Sequence, residues 1–184
     1  YFVTYGLISI YCIGYASEYQ FKNEYVEISF VKGWDTKHGT LFALFIKMDK
    51  NWKTYWRYPG ESGIAPDLKL LNSKNFKKFD ISWPTPKVFN DYGTVIYGYK
   101  KNLILPIFFL KKKNTVEMDF EFEIIMGFCD KICIPVRFII NNKNALNSSK
   151  TQKKLILKSL ENVPKKISNE IVIASCKVSK VKNK

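Results

Sequence analysis

The chain has 184 residues, enough for one domain with a sizeable core and short tails. Four cysteines are too few for a disulfide scaffold, and the single histidine, His38, leaves Cys-His catalysis and a His-rich metal site without support. The formal net charge of +14 invites nucleic acid or an anionic membrane as partner, but no lysine run is interleaved with stacking aromatics and no helix-turn-helix or zinc-finger pattern occurs.

A nucleic-acid partner is therefore not expected. The charge reads as a solvated, Lys- and Asn-rich surface, with weak attraction to an anionic membrane surface as the alternative. Residues 2–13 are mostly apolar, and Gly14-Tyr15-Ala16 suits cleavage before Ser17. Residues 1–16 thus read as a signal peptide, too short for an ordinary membrane span; the other reading is a first core strand. Removal would take Cys12 with it and place the mature chain in an oxidising compartment, where a reversible cysteine pair can persist.

Apolar alternation then recurs in short blocks divided by Gly, Pro, Asn and Lys. Strands are expected near residues 25–31, 39–48, 52–57, 78–83, 94–99, 102–110, 115–127 and 133–140. Many short strands without βαβ alternation predict an all-β antiparallel sandwich over residues 17–142. Two long loops are expected, at 59–71 and 84–93. Residues 143–184 read as a polar linker, a short helix over 151–162 with Leu155, Leu157 and Leu160 apolar, and a basic arm; Pro164 ends the helix.

The most informative stretch is Gly127-Phe128-Cys129-Asp130-Lys131-Ile132-Cys133-Ile134-Pro135. Before it, Val116, Met118, Phe120, Phe122 and Ile124 alternate with acidic residues. After it, Ile134, Val136, Phe138 and Ile140 continue an even apolar set. If both strands keep register, Cys129 and Cys133 fall on the odd face, away from the core, at an exposed tip closed by Asp130-Lys131-Ile132. Directly opposed Cα atoms in such a pair lie roughly 4.5 Å apart, within reach of a disulfide. A bulge at Gly127 would shift that register. The pair is either a structural staple or an exchangeable bridge. Lys131, and Arg137 beyond it, would favour a thiolate at Cys133, and Asp130 would oppose it. Cys129 and Cys133 with Met126 form an alternative soft set for Cu(I).

Four segments carry a resemblance. They are Trp52-Lys53-Thr54-Tyr55-Trp56-Arg57-Tyr58-Pro59-Gly60-Glu61-Ser62-Gly63, then Trp83-Pro84-Thr85-Pro86, then Tyr97-Gly98-Tyr99-Lys100 with Leu105-Pro106, and the cysteine hairpin. In this order they resemble the N-terminal periplasmic domain of the thiol:disulfide interchange protein DsbD, and most of all the DsbD-like domains of suppressor-of-copper-sensitivity proteins. The resemblance covers residues 24–140.

It implies an immunoglobulin-like sandwich that receives reducing equivalents from a membrane-embedded thiol electron carrier and passes them to thioredoxin-fold proteins in the periplasm, without a cofactor. The second cysteine of that family forms the mixed disulfides, which maps onto Cys133; Cys129 then re-forms the bridge. The family's cap loop maps onto the segment between Trp83 and Gly93, making Phe89 and Tyr92 candidate shields, with Trp56 a candidate lining residue. The chain departs from DsbD in its three-residue spacer. It also carries no transmembrane or thioredoxin-like segment, so its electron donor is expected in another protein or another part of a longer one.

Overall fold

The computed structural model describes residues 21–91, 93–112 and 118–165. The expected signal peptide, Cys12, Tyr92, Cys176 and the basic arm from residue 166 lie outside the described residues.

In chain order the strands are β1 (Phe21–Lys22), β2 (Val26–Asp35), β3 (Gly39–Met48), β4 (Lys53–Gly60), β5 (Asp67–Lys74), β6 (Phe76–Ile81), β7 (Lys87–Asp91), β8 (Thr94–Lys100), β9 (Asn102–Lys111), β10 (Asp119–Cys129), β11 (Cys133–Asn141) and β12 (Leu146–Asn147). The helix α1 (Lys150–Glu161) follows. One sheet runs β1-β2-β3-β9-β6, with β12 added in parallel to β2. The other runs β11-β10-β4-β8-β7, with β5 on β10. All remaining pairings are antiparallel, so the architecture is the expected two-sheet, immunoglobulin-like sandwich.

The core lies between the sheets and follows the period-2 rule. Ile28 and Phe30 on β2, Phe42, Leu44 and Ile46 on β3, and Leu105, Ile107 and Phe109 on β9 meet Phe120, Phe122, Ile124, Met126 and Phe128 on β10. Phe120 is the hub. Its ring stacks on Phe109 at 3.9 Å and meets Phe30, Phe42 and Phe122 edge-on.

The eight expected strands are present, and both expected loops contain a further one. β5 is mostly exposed, with Leu68 alone packing on the core and the Leu68, Leu70 alternation broken by a bulge at Leu71; its backbone pairing to residues 119–125 of β10 defines it. β7 contributes one half-buried apolar side chain, Phe89.

β3 is apolar on both faces because the helix covers its outer side. Ile156, fully buried, packs with Leu160 against Leu41 and Ala43. These two residues, four apart, form the buried stripe; Leu155 and Leu157, expected there, are exposed. Ser149 caps the helix reciprocally with Gln152, and Pro164 stands two residues past the C-cap Asn162.

Replacing Phe120 with Ala should cost about 3–5 kcal/mol of unfolding free energy, because the aromatic hub would leave a cavity. Urea denaturation with an unchanged slope and a lower midpoint would show it.

Candidate functional site

β10 and β11 pair residue by residue from Glu121 opposite Asn141 to Cys129 opposite Cys133. No slip occurs at Gly127. The glycine serves a different need: a Cβ there would stand 2.5 Å from the side chain of Ile64, which lies over it. Cys129 and Cys133 are joined as a disulfide, with Cα atoms 4.1 Å apart. The amide of Asp130 donates to the carbonyl of Ile132 at 3.2 Å, closing the three-residue turn.

The two sulfurs have different surroundings. Cys133 is exposed, and beside it Ile132 is 66% exposed. Cys129 is only 1% exposed and packs with Tyr55 and Ile96 under Phe89. The expected exposed tip therefore holds for Cys133 alone. Both cysteines do lie on the face away from the main core, but a second, small apolar cluster covers that face at this end of β10.

Two segments build the cover. The chain's pairing to β10 ends at Thr54 and resumes at Asp67; between them, Gly60 pairs with Ile96 on β8. The Glu61 amide and carboxylate bond the backbone of Val95, and Gly63, at φ +131°, lies against the Tyr55 ring. The β7–β8 hairpin supplies Phe89, whose ring holds the Lys100 ammonium 4.6 Å from its centre.

Polar groups converge on the same place. The Tyr55 hydroxyl lies 3.4 Å from Cys133 Sγ. Burial, and then the nearby Asp91 charge, push the Tyr55 phenol above its ordinary range, so it stays a neutral donor at physiological pH. Lys53 sits directly across the ladder from Cys129 and is 5% exposed. Its Nζ lies 2.8 Å from Asp91 Oδ2 and 3.5 Å from the Asp130 carbonyl. The ion pair ties the tip of the β7–β8 hairpin to the strand beside the disulfide.

The model of the family described as "Thiol:disulfide interchange protein DsbD, N-terminal" matches residues 24–139. The chain belongs to that family. The DsbD-type fold also recurs in the N-terminal periplasmic domain of ScsB from Proteus mirabilis, at a TM-score of 0.63 and 22% identity. That likeness covers 77% of this chain and 56% of that one, so the chain spans little more than half of its length. The Neisseria meningitidis DsbD N-terminal domain in the reduced form is more distant, at a TM-score of 0.38 and 12% identity over 62% of this chain and 82% of that one, and adds nothing to the fold assignment. No curated protein matches.

Of the residues expected in the site of this DsbD-type domain, Cys129, Cys133 and Phe89 are brought together, and Lys131 is exposed in the turn between the cysteines. Trp56 is not among them. It packs against the main core, because the neighbouring Tyr55 takes the outer face. Arg137 is bound to Glu123 at 2.7 Å. Met126 is buried in the main core, so the three sulfurs considered for Cu(I) do not converge. Tyr55, Lys53 and Asp91 were missed. Tyr55 and Lys53 lie in a segment that carries the family resemblance, and Asp91 lies in the loop expected over 84–93.

Two outcomes are expected. Phe89→Ala should speed alkylation of Cys129 in the reduced protein several-fold and leave Cys133 unchanged, as peptide mapping of labelled sites would report. A raised phenol means that the folded state holds its proton above pH ~10, where the unfolded chain loses it. The stabilisation is full below that pH and is lost as pH rises toward the folded value. Spectrophotometric titration of Tyr55→Phe should therefore lack one late-titrating phenol relative to the parent.

Proposed function

We propose that the chain is a periplasmic thiol–disulfide exchange module. It passes reducing equivalents from a membrane-embedded thiol electron carrier to thioredoxin-fold proteins through Cys129 and Cys133. The observation that carries this reading is the unequal exposure of one bonded pair: Cys133 open to a partner's sulfur, Cys129 covered. A purely structural staple has no need of that asymmetry.

In the loading direction, a thiolate of the reduced carrier attacks Cys133 Sγ. A carrier–Cys133 bond forms, the Cys129–Cys133 bond breaks, and the electron pair leaves on Cys129. The carrier's second thiolate attacks its own sulfur in the mixed disulfide and releases Cys133. Two electrons have moved, the carrier holds a disulfide, and two protons complete the dithiol. Delivery runs the same steps in reverse: Cys133 attacks the partner's disulfide, and Cys129 then attacks Cys133 Sγ and frees the reduced partner. Tyr55 donates its hydroxyl hydrogen to Cys133 whenever that sulfur carries charge, which favours the attacking and departing thiolate alike.

The test is a trap. Reduced Cys129→Ser should accumulate a mixed disulfide through Cys133 with a disulfide-bonded thioredoxin-fold protein, and Cys133→Ser should accumulate none. The reduction potential of the native pair should lie clearly above about −300 mV. No trapped partner, together with a bridge that glutathione cannot reduce, would leave the disulfide a staple.

A further inference from the structure

Exchange at Cys133 places a burden on Cys129. When Cys133 is attacked, the electron pair goes to a sulfur enclosed by Tyr55, Ile96 and Phe89. Apolar burial opposes a thiolate there, and a poor leaving group slows the step. The cation placed to relieve it is Lys53. Directly opposed residues of an antiparallel pair share a face, and Lys53 is opposite Cys129. In the closed arrangement this charge is already committed: Asp91 neutralises it at 2.8 Å. Asp91 stands at the end of β7, the strand that also holds Phe89 over Cys129. The other charged and titratable groups around the cluster are Tyr55, Lys100 over the outer Phe89 ring, and Asp130 and Lys131 in the turn after Cys129, with the Asp130 carbonyl 3.5 Å from Lys53 Nζ.

We propose that the Lys53–Asp91 ion pair is a switch that couples partner docking to the activation of Cys129 as leaving group. With the β7–β8 hairpin down, Asp91 cancels the Lys53 charge, and Phe89 covers the sulfur. A docking protein that lifts the hairpin draws Asp91 away, and Lys53 becomes the unopposed cation beside Cys129. A small thiol that reaches Cys133 without lifting the hairpin meets the unactivated bridge. The module would thereby favour protein partners over the free thiols around it. This inference rests on the exchange reading above.

Charge variants separate a switch from a simple clasp. In a Cys133→Ser background, the Cys129 thiol is titrated by thiolate absorbance; in the native pair, reduction by dithiothreitol is timed. Asp91→Asn should lower the Cys129 pKa by roughly one unit, raising the thiolate fraction about tenfold below the pKa, and speed reduction. Lys53→Met leaves the Asp91 charge unopposed and should move both in the opposite sense, and the double variant, with neither charge, should return toward the parent. Lys53→Arg keeps the charge and should stay near the parent.

If the pair were only a clasp, Asp91→Asn and Lys53→Met would both loosen the hairpin and shift both readouts the same way. That result would overturn the switch, as would Lys53→Arg behaving like Lys53→Met. A native bridge that dithiothreitol cannot open would instead overturn the exchange reading itself.

Discussion

A β-strand presents successive side chains to opposite faces, and the site depends on β10 obeying that rule without interruption from Glu121 to Cys129. The even residues are committed to the aromatic core, where Phe120, Phe122 and Phe128 are almost fully buried. That commitment fixes the register, because a slip by one residue would turn the phenylalanines to solvent. Cys129 must then face outward, and the unbroken ladder places Cys133 opposite it. The outer face changes character along the strand. At one end it carries Glu121 and Glu123, with Glu123 bound to Arg137. At the other, Ile64 lies over Gly127, and Phe89 and Tyr55 enclose Cys129. One strand thus supports a conventional core on one side and a small apolar cluster over Cys129 on the other.

Covering one sulfur of a pair has electrostatic consequences. A disulfide carries no charge and sits in an apolar cluster at little cost, whereas its reduced form must place a thiolate or a thiol in the same space. The surroundings therefore weigh the two redox states differently, and they weigh the two sulfurs differently. Cys133, in solvent and near the Tyr55 hydroxyl, bears charge more readily. Cys129, in an apolar cluster and opposite a lysine whose charge is already matched, bears it less readily. In the proposed exchange, the roles of attacked sulfur and leaving sulfur would then follow from dielectric and hydrogen bonding, independently of the spacing between them.

Much of this was legible in the residues because it depends on local alternation. The strand pattern around the hairpin, the outward parity of the cysteines and the helix with its terminating Pro164 are all short-range signals. What was not legible depends on pairing between distant segments. β5 is held by its backbone against β10, and its short Leu68, Leu70 alternation is broken at Leu71 by a bulge and followed by a polar run, so it carries little signature. In Trp52-Lys53-Thr54-Tyr55-Trp56 the aromatics occupy both parities, and nothing local says which faces the core; Trp56 does, and Tyr55 faces the sulfurs. Lys53 and Asp91 are joined only because the β7–β8 hairpin reaches the end of β4, and no spacing rule announces that contact. The aromatic shield was found through family resemblance, since a lone Phe89 in a polar stretch has no periodic meaning.

The three-residue spacer makes the bridge unusual in how it behaves once opened. Each cysteine is the terminal residue of its own strand, so the β10–β11 ladder, and not a flexible loop, holds the sulfurs. Reduction removes the bond but leaves the Cα atoms held near their 4.1 Å separation. A mixed disulfide on Cys133 would therefore face Cys129 at very high effective concentration, and reclosure would compete with every forward step. Such a module needs a means of quieting the returning thiol while a partner's second sulfur arrives. Apolar burial disfavours a thiolate at Cys129 in the reduced state, and a lysine already paired with Asp91 does little to reverse that. Removing the cover or the counter-charge should thus shorten the life of the mixed disulfide even as it makes the bridge easier to open. Cys129 cannot at once be the best leaving group and the slowest to return, and under the proposed switch an environment that changes with the position of the hairpin would reconcile those two requirements.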